Sequence, residues 1–414
     1  MKGSAVYQLT ARDIRRRNRF AVLQAVYAAA GHISRQEIAE ATGLSFATVG
    51  NMIAELLDVG VLAELGYDAA SVGRPRARLA VNPARGMLVG IDLAETAIHF
   101  DLFDLTMSVL RSVEIPVAPN ACRPQDVVPL IVRGIHELTG DDAAEVLGVG
   151  LSVPGPVEPE GGVSVFSPYW DWHDIPLKSL LQQHLTHPLY LDNPLKTSTV
   201  AELWFGAGRD VDDLIVLTLR AGVGIGVVVD GVLYRGVTNS AGEWGHTTVV
   251  LDGRECRCGR KGCVEAYVST PGIVATLRER DPHSALLDPD DATTLTAIAE
   301  AATRGDVVAR TVIETTGRYL GVAVANLVNL FNPRTMVFGD LVANLLGDPL
   351  LTATRRVAAE HAMAAPFDAV TLQLSTLPHN PASLGAATLA LEGFLADRER
   401  FGSVAARRAS RTTT

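Results

Sequence analysis

One short region of this 414-residue chain constrains its fold more than any other. It reads Glu243-Trp-Gly-His246, followed ten residues later by Cys256-Arg-Cys258-Gly-Arg-Lys-Gly-Cys263-Val-Glu265. Three thiolates in a glycine-rich loop and one histidine complete the shell of a tetrahedral zinc ion and leave no open position for a reactive water. The sequence therefore predicts a structural Zn²⁺ bound by His246, Cys256, Cys258 and Cys263. The alternative is three free cysteines beside an unrelated histidine.

Two acidic residues flank the ligands of this predicted zinc site. Glu243 and Glu265 lie close enough to the ligands for the metal to fix the direction of both carboxylates. Fixed carboxylates are good hydrogen-bond acceptors for the hydroxyl groups of polyhydroxylated molecules. The region therefore predicts a sugar-binding pocket beside a structural metal.

The distribution of charge separates the front of the chain from its body. The net charge is −10, yet residues 1–82 hold ten Lys and Arg against seven Asp and Glu, which leaves 26 against 39 in the rest. An acidic body repels nucleic acid, so any DNA contact is expected in the N-terminal part. The chain shows no bilayer-spanning apolar run and no apolar leader, and its four cysteines are too few for a disulfide framework. These features predict a cytoplasmic protein without a membrane contact.

The first 82 residues carry the pattern of a helix-turn-helix. Apolar residues recur at helical spacing over residues 13–30, Ser34 caps a short second helix that Gly43 ends, and Ser45 starts a third. Helix, glycine turn and helix is the arrangement of many DNA readers. The alternative is a dimerisation or lid module of similar shape.

Two strand segments follow these helices and are predicted to pair as a wing. They cover residues 61–64 and 77–81, and the turn between them ends in two arginines on either side of a proline. Short polar side chains of the third helix would reach base edges or phosphates in the major groove, and the arginines would reach the minor groove or its phosphates. The predicted DNA-binding residues are Ser45, Thr48, Asn51, Arg74 and Arg76.

The remaining sequence alternates between strand and helix patterns. One group of strands precedes a helical stretch at Pro124–Leu138, and a comparable group starts at Asp213. Later segments include a buried strand at Thr335–Phe338 and a helix predicted over Leu350–Ala364. Because each half opens with similar strands, the pattern favours two α/β lobes that face a cleft.

The whole chain resembles the ROK family of repressors, open reading frames and sugar kinases. The strongest marks are Ala241-Gly-Glu-Trp-Gly-His246 and the run from Cys256 to Glu265, supported by Pro154-Gly-Pro, Asn332-Pro and Leu384-Gly-Ala-Ala. The resemblance implies an α/β fold in which an N-terminal winged helix-turn-helix precedes a two-lobe, actin-like and ribonuclease-H-like ROK domain.

The resemblance also implies domain boundaries and a sugar site. The winged helix-turn-helix is expected at residues 1–82 and the sugar-sensing ROK domain at 86–397, with lobes at about 86–196 and 197–397 and a disordered basic tail at 398–414. It stays open whether the C-terminal helix returns to the first lobe. The sugar would be bound by Asn193, Glu243, His246 and Glu265. His246 can serve both sets because its two ring nitrogens can meet different partners.

The chain departs from the kinases of that family at three positions. The first phosphate loop reads Asp92-Leu-Ala-Glu-Thr, whose glutamate would repel a phosphate, and the second reads Arg220-Ala-Gly-Val-Gly-Ile-Gly, without the threonine. Pro194 stands where the family has its general base, and proline cannot accept a proton. Loss of a general base costs about 10²- to 10⁴-fold in rate. The chain is therefore predicted to have no catalytic residues and not to be an enzyme.

Two tryptophans, Trp170 and Trp172, follow Ser167-Pro in the first predicted lobe, where many relatives have an asparagine. Indole rings of this kind stack on the apolar face of a sugar or pack in a core. The sequence does not decide between these two roles.

These observations combine into one functional prediction. The chain is expected to be a DNA-binding transcriptional regulator, by preference a repressor, of genes for carbohydrate uptake or catabolism. Its partners would be a double-stranded operator, a sugar or sugar-phosphate effector in the degenerate kinase site, and further copies of itself in a homodimer or homotetramer. The first alternative is an active ATP-dependent sugar kinase with an added DNA-binding domain. The second is a ligand-independent architectural protein.

Overall fold

The computed structural model describes residues 11–67, 76–118, 121–140, 145–167, 170–209, 211–377 and 380–397. The chain divides into two compact units. The first comprises the chain up to Asp192 together with the segment from Ser383 onward, and the second comprises Asn193–Ala382. Arg74, the rest of the predicted hairpin tip and the predicted tail lie outside the described residues. Across the described part of the chain, every helix is too short or too polar to cross a bilayer.

The N-terminal module of the first unit has three helices and a hairpin, as the sequence predicts. Its elements are α1 (Ala11–Ala28), α2 (Arg35–Thr42), α3 (Phe46–Asp58), β1 (Leu62–Tyr67) and β2 (Ala77–Val81). Ser34 and Glu37 form a capping box at the start of α2, and Gly43 ends this helix with a left-handed φ of 66°. Ser45 then caps α3, and β1 pairs with β2 antiparallel. The fold of this module is that of a winged helix-turn-helix.

Helix α1 connects the module to the rest of the first unit. The Glu55 carboxylate on α3 accepts hydrogen bonds from Arg15 and Arg19 of α1. Burial alone would raise the pKa of Glu55, but the two guanidinium groups outweigh it and lower that pKa. Arg19 also donates to the Leu395 carbonyl, and the hydroxyl of the half-buried Tyr27 donates to the Leu105 carbonyl. Both bonds leave the module, so α1 is fixed to the body of this unit.

The body of the first unit is built on a five-stranded mixed sheet. Its elements are β3 (Met87–Leu93), β4 (Ala97–Asp104), β5 (Val109–Pro116), α4 (Pro124–Thr139), β6 (Val146–Ser152), β7 (Val157–Glu158), β8 (Val163–Ser167), β9 (Trp172–Ile175), α5 (Leu177–Gln182) and β10 (Leu189–Asp192). The sheet has the order β10-β6-β3-β4-β5, with β3, β4 and β5 antiparallel and β6 and β10 parallel to β3. Strands β7, β8 and β9 form a separate small sheet.

The second unit repeats this topology. Its elements are α6 (Pro194–Phe205), β11 (Leu214–Leu219), β12 (Val223–Val229), β13 (Val232–Leu233), α7 (Glu265–Val268), α8 (Thr270–Arg280), α9 (Asp291–Thr303), α10 (Val307–Phe331), β14 (Thr335–Gly339), α11 (Asp340–His361), α12 (Ala364–Ala369) and β15 (Thr371–Leu374). The sheet order is β13-β12-β11-β14-β15, again three antiparallel strands followed by two parallel ones. The sequence predicted two α/β lobes that open with similar strands, and the equal strand order of the two sheets goes beyond that prediction.

The helix predicted over Leu350–Ala364 is wrong in its bounds. In the structure α11 begins at Asp340 and ends at His361, with a kink at Gly347, whose φ is 49°. A separate helix, α12, then starts at Ala364. The sequence pattern did not indicate the first part of α11, because Gly347 and the following Asp348-Pro349 are typical of turns.

The last helix, α13 (Pro381–Ala396), packs on the sheet of the first unit from Ser383 onward. Glycines on β3 and β6 make this approach possible. A Cβ atom at Gly90 would lie 2.1 Å from the Ser383 carbonyl oxygen, and one at Gly150 would lie 1.8 Å from the Ala386 carbonyl oxygen. Neither distance is tolerable, so the helix backbone lies directly on the sheet.

We expect Gly150→Ala to destabilise the first unit by about 1–3 kcal/mol or more, because the helix backbone must move away from the added methyl group. Gly148 lies on the same strand, but a Cβ there would come only to 3.2 Å of the Ala390 side chain. Gly148→Ala is therefore a matched control with a smaller effect. Thermal denaturation of the two variants tests this packing, and equal melting temperatures would contradict it.

Candidate metal centre and ligand site

Four potential metal ligands converge in the second unit. The ligand atoms of His246, Cys256, Cys258 and Cys263 all lie within 4.8 Å of one another. Cys258 Sγ is 3.7 Å from Cys263 Sγ, and Cys256 Sγ is 3.7 Å from His246 Nδ1. Thiolates bound tetrahedrally at about 2.3 Å from an ion are roughly 3.8 Å apart. The cluster could therefore hold a metal ion with little rearrangement.

The chain around the cluster folds tightly enough to fix these ligands. His246 ends a short 3₁₀ turn at Trp244–His246, and isolated β-bridges join Thr248 to Cys263 and Glu255 to Lys261. Burial raises the pKa of the Cys256 thiol to about 12. Metal binding at this position would require the thiolate form of Cys256, which a bound cation favours.

The two predicted glutamates lie against this cluster. Glu265 Oε1 is 3.5 Å from Cys256 Sγ, and Glu265 Oε2 accepts a hydrogen bond of 3.0 Å from the Val223 amide. Glu243 Oε2 is 3.9 Å from His246 Nε2. Burial raises the pKa of Glu243, and electrostatic interactions with His246 and Lys196 partly offset this effect. The structure thus brings Glu243, Glu265 and the metal ligands together.

The remaining predicted sugar ligand, Asn193, caps helix α6. Its buried Oδ1 accepts a hydrogen bond of 3.0 Å from the Lys196 amide, and Pro194 occupies the first position of the helix. The Lys196 side chain is fully buried and donates through Nζ to the Ala241 carbonyl, two residues before Glu243. This bond joins the start of α6 to the segment that carries Glu243 and His246. Sequence reasoning missed Lys196, since lysines are almost always exposed.

Two acidic residues, Asp340 and Glu265, bind groups of the second glycine loop at residues 220–226. Arg220 Nε lies 3.1 Å from Oδ1 of Asp340, the first residue of α11, which directly follows β14 and has a left-handed φ of 73°. The Val223 amide is already donated to Glu265. A phosphate cradle needs such amides to point at the ligand, and two carboxylates beside the loop repel an anion. Asp340 was also missed, because only the fold brings it to this loop.

The first unit contains the other sequence marks, namely the two tryptophans and the first predicted phosphate loop. Trp170 and Trp172 are 3% and 1% exposed, their rings meet edge to face at 4.8 Å, and Trp172 Nε1 donates to the Cys122 carbonyl. Both indoles therefore belong to the core of that unit. The first predicted phosphate loop is a tight hairpin in which the Ala94 amide donates to the Ala97 carbonyl.

Of the predicted DNA-reading residues that the structure describes, Ser45 caps α3, Thr48 and Asn51 lie on this helix, and Arg76 directly precedes β2. Ser45 and Asn51 are exposed, whereas Thr48 is half-buried. The Ser45 hydroxyl accepts from the Thr48 amide at 3.1 Å and lies 2.8 Å from the Thr48 hydroxyl. Arg76 is exposed beside β2. Phe46, the first residue of α3, is 62% exposed and was not in the predicted set.

Comparisons with known proteins match both parts of the chain. The model of the ROK family matches residues 88–393. The xylose repressor of Caldicellulosiruptor bescii is 30% identical over 371 residues, which cover 88% of this chain and 92% of that protein. A glucokinase of Halalkalibacterium halodurans is 32% identical over 311 residues, which cover 72% of this chain and 92% of that protein.

A solved structure agrees with the repressor match. A ROK family transcriptional regulator, a homolog of the E. coli MLC protein, superposes with a TM-score of 0.78 at 25% identity and covers 95% of this chain and 99% of that one. Residues 83–414 make up less than 88% of the chain. A match that covers 88% or more of the chain must therefore include some of the first 82 residues. The glucokinase match covers 72% of this chain, so residues 83–414 alone are long enough to account for it.

Proposed function

The chain belongs to the ROK family, and from this premise we propose that it is a DNA-binding transcriptional regulator that responds to a carbohydrate. Its targets would be genes of carbohydrate uptake or catabolism, and its action that of a repressor. The observation that carries this proposal is the winged helix-turn-helix formed by α1, α2, α3 and the β1–β2 hairpin ahead of the ROK domain. The similarity to a xylose repressor over most of both chains supports it.

We propose that the DNA interface comprises Ser45, Thr48, Asn51 and Arg76, with Arg74 as a further contact outside the described residues. Asn51 and Arg76 are exposed and can reach a base edge and a phosphate. The hydroxyls of Ser45 and Thr48 take part in capping α3, so their role is to fix the helix start that enters the major groove. A homodimer or homotetramer would present two such modules to two half-sites.

We propose that the effector is a sugar or sugar phosphate bound by Asn193, Glu243, His246 and Glu265. Glu243 and Glu265 supply charged acceptors for hydroxyl groups, and both lie against the metal cluster. The ion at His246, Cys256, Cys258 and Cys263 would be Zn²⁺, which prefers tetrahedral thiolate and imidazole ligands. With all four positions filled by protein, its role is to fix these carboxylates.

The second candidate is a sugar kinase, and the similarity to a glucokinase favours it. The local chemistry of the second unit argues against it. Pro194 follows Asn193 at the helix position where a kinase of this family would have its acidic general base. The Val223 amide and the Arg220 side chain are both bound to carboxylates. A sensor that keeps the acceptors for a sugar without a proton acceptor or a phosphate cradle fits these contacts better.

The proposal is tested with an operator and a panel of sugars. Duplex DNA is selected from a random pool by the full-length protein, and its affinity is measured with and without pentoses, hexoses and their phosphates, including xylose and glucose. We expect one of these compounds to weaken operator binding at least tenfold, which requires about 1.4 kcal/mol of differential binding. We also expect ADP formation from ATP and the same sugars to stay at background. Turnover at the 1–100 s⁻¹ typical of kinases would overturn the proposal, and DNA binding insensitive to every sugar would favour an architectural role.

A further inference from the structure

The recognition helix begins with an aromatic residue that the fold does not use. Phe46 is 62% exposed, although large apolar side chains are normally buried in a module of this size. The core side of α3 is supplied by other residues, namely Val49, Met52, Ile53 and Leu56. Phe46 therefore contributes little to folding, and its exposure at the end of a helix that reads DNA calls for another role.

The outward face of α3 carries no positive charge. Ala47, Asn51, Ala54 and, at the far end, Asp58 are exposed on it, and none of the thirteen residues of α3 is Lys or Arg. The hydroxyls of Ser45 and Thr48 are engaged with each other and with the cap of the helix. Apart from Asp58 at its C-terminal end, the groups that α3 offers to bases are thus one amide, two methyl groups and one phenyl ring.

These groups suit one kind of base pair. Guanine is most often recognised in the major groove by the two donors of Arg or by Lys, and α3 has neither. Thymine presents a 5-methyl group there, which apolar side chains such as Phe and Ala contact, and adenine pairs with the amide of Asn. The N-terminal residues of a recognition helix are the ones that reach base edges, which is where Phe46 lies.

We propose that Phe46 is a base-contacting residue of the operator interface, that it packs on the 5-methyl group of a thymine, and that the half-site facing α3 is rich in A·T pairs. This inference rests on the proposed function, because it assumes that α3 enters the major groove. Phosphate contacts from the exposed arginines outside α3 supply affinity without sequence information.

The test deletes only the methyl group. In the operator selected by the full-length protein, each thymine of a half-site is replaced in turn by deoxyuridine, and the dissociation constants are measured. We expect a loss of about fourfold at one or two positions, the value of one buried methyl group. Phe46→Ala should bind the thymine operator more weakly than the unaltered protein and should no longer distinguish thymine from deoxyuridine at those positions.

Controls separate this inference from folding and from the proposed function. Phe46→Ala should melt at the same temperature as the unaltered protein, because the ring is exposed. Leu110→Ala removes an apolar side chain that is 51% exposed and lies outside the module, and it should leave affinity and deoxyuridine sensitivity unchanged. A G·C-rich selected half-site, insensitivity of the unaltered protein to every deoxyuridine, or retained sensitivity in Phe46→Ala would each overturn the inference while leaving the regulator proposal intact. Selection of no DNA at all would overturn both.

Discussion

Replacing Cys256 with serine should remove most of the proposed zinc and lower the melting temperature of the protein by about 10 °C or more. Cys256 is buried between His246 Nδ1 at 3.7 Å and Glu265 Oε1 at 3.5 Å. A serine hydroxyl does not ionise at neutral pH and is a poor zinc ligand, so the ion would lose one quarter of its shell. Because a structural metal binds only the folded site, the lost binding free energy is lost folding free energy, and several kcal/mol correspond to this shift.

The destabilisation should spread beyond the cluster, since the loop that bears the ligands packs on the main core of the second unit. Val264 and Tyr267 belong to that core, and Val249 and Val250 pack against it. The Arg254 side chain also joins the loop to α8 through Thr276 and Glu279. Loss of the ion frees the loop to detach from these partners. Zinc content by elemental analysis and thermal denaturation measure the two effects.

Cys122→Ser is the matched control for this prediction. Cys122 is the one cysteine of the sequence outside the cluster, and it lies half-buried in the first unit with Sγ 3.7 Å from the Ala118 carbonyl. The control should keep its zinc and its melting temperature. A Cys256→Ser protein with full zinc content, or one that loses zinc without any change in melting temperature, would contradict a structural role for the metal.

Much of this fold follows from local patterns in the sequence. The capping box at Ser34 and Glu37, the glycine after α2 and the strands of the two sheets leave signals within a few residues of each other. Helix α6 leaves no such signal, because Lys196, Thr199 and Glu202 are buried along with its apolar residues. A helix buried on all sides shows no polar face, so periodicity cannot reveal it.

The candidate site likewise combines contacts that the sequence predicted with contacts that it did not. The metal ligands and the two glutamates lie within one short segment, so spacing alone predicted that they would meet. The Glu265 bond to the Val223 amide joins residues 42 positions apart, and the Arg220–Asp340 pair depends on β14 lying beside β11. The burial of Trp170 and Trp172 likewise depends on tertiary packing. Contacts of this kind are set by the fold and have no local signature.

The proposed sugar-binding role is tested most directly by a substitution of Glu243. Glu243→Gln keeps the shape of the side chain but replaces a charged acceptor with a neutral amide. A hydrogen bond to a charged group contributes about 1.5–3 kcal/mol and one to a neutral group about 0.5–1.5 kcal/mol. The effector concentration needed to release half of the operator should therefore rise about tenfold. Operator affinity without effector should not change, since Glu243 lies in the second unit and the winged helix-turn-helix in the first. The measurement is an effector titration of the operator complex.

The result at Glu243 needs to be distinguished from damage to the metal centre, because Glu243 Oε2 lies 3.9 Å from His246 Nε2. A zinc content equal to that of the unaltered protein removes this concern, since neither carboxylate nor amide of residue 243 is needed to complete the four-ligand shell. Glu300→Gln provides the control for charge, because Glu300 is a largely exposed carboxylate on α9 that pairs with Arg304 at 3.5 Å. An unchanged effector titration in a zinc-replete Glu243→Gln protein would show that this carboxylate does not bind the sugar. A shift confined to Glu243→Gln would assign the sensing site to the face of the metal cluster that carries it.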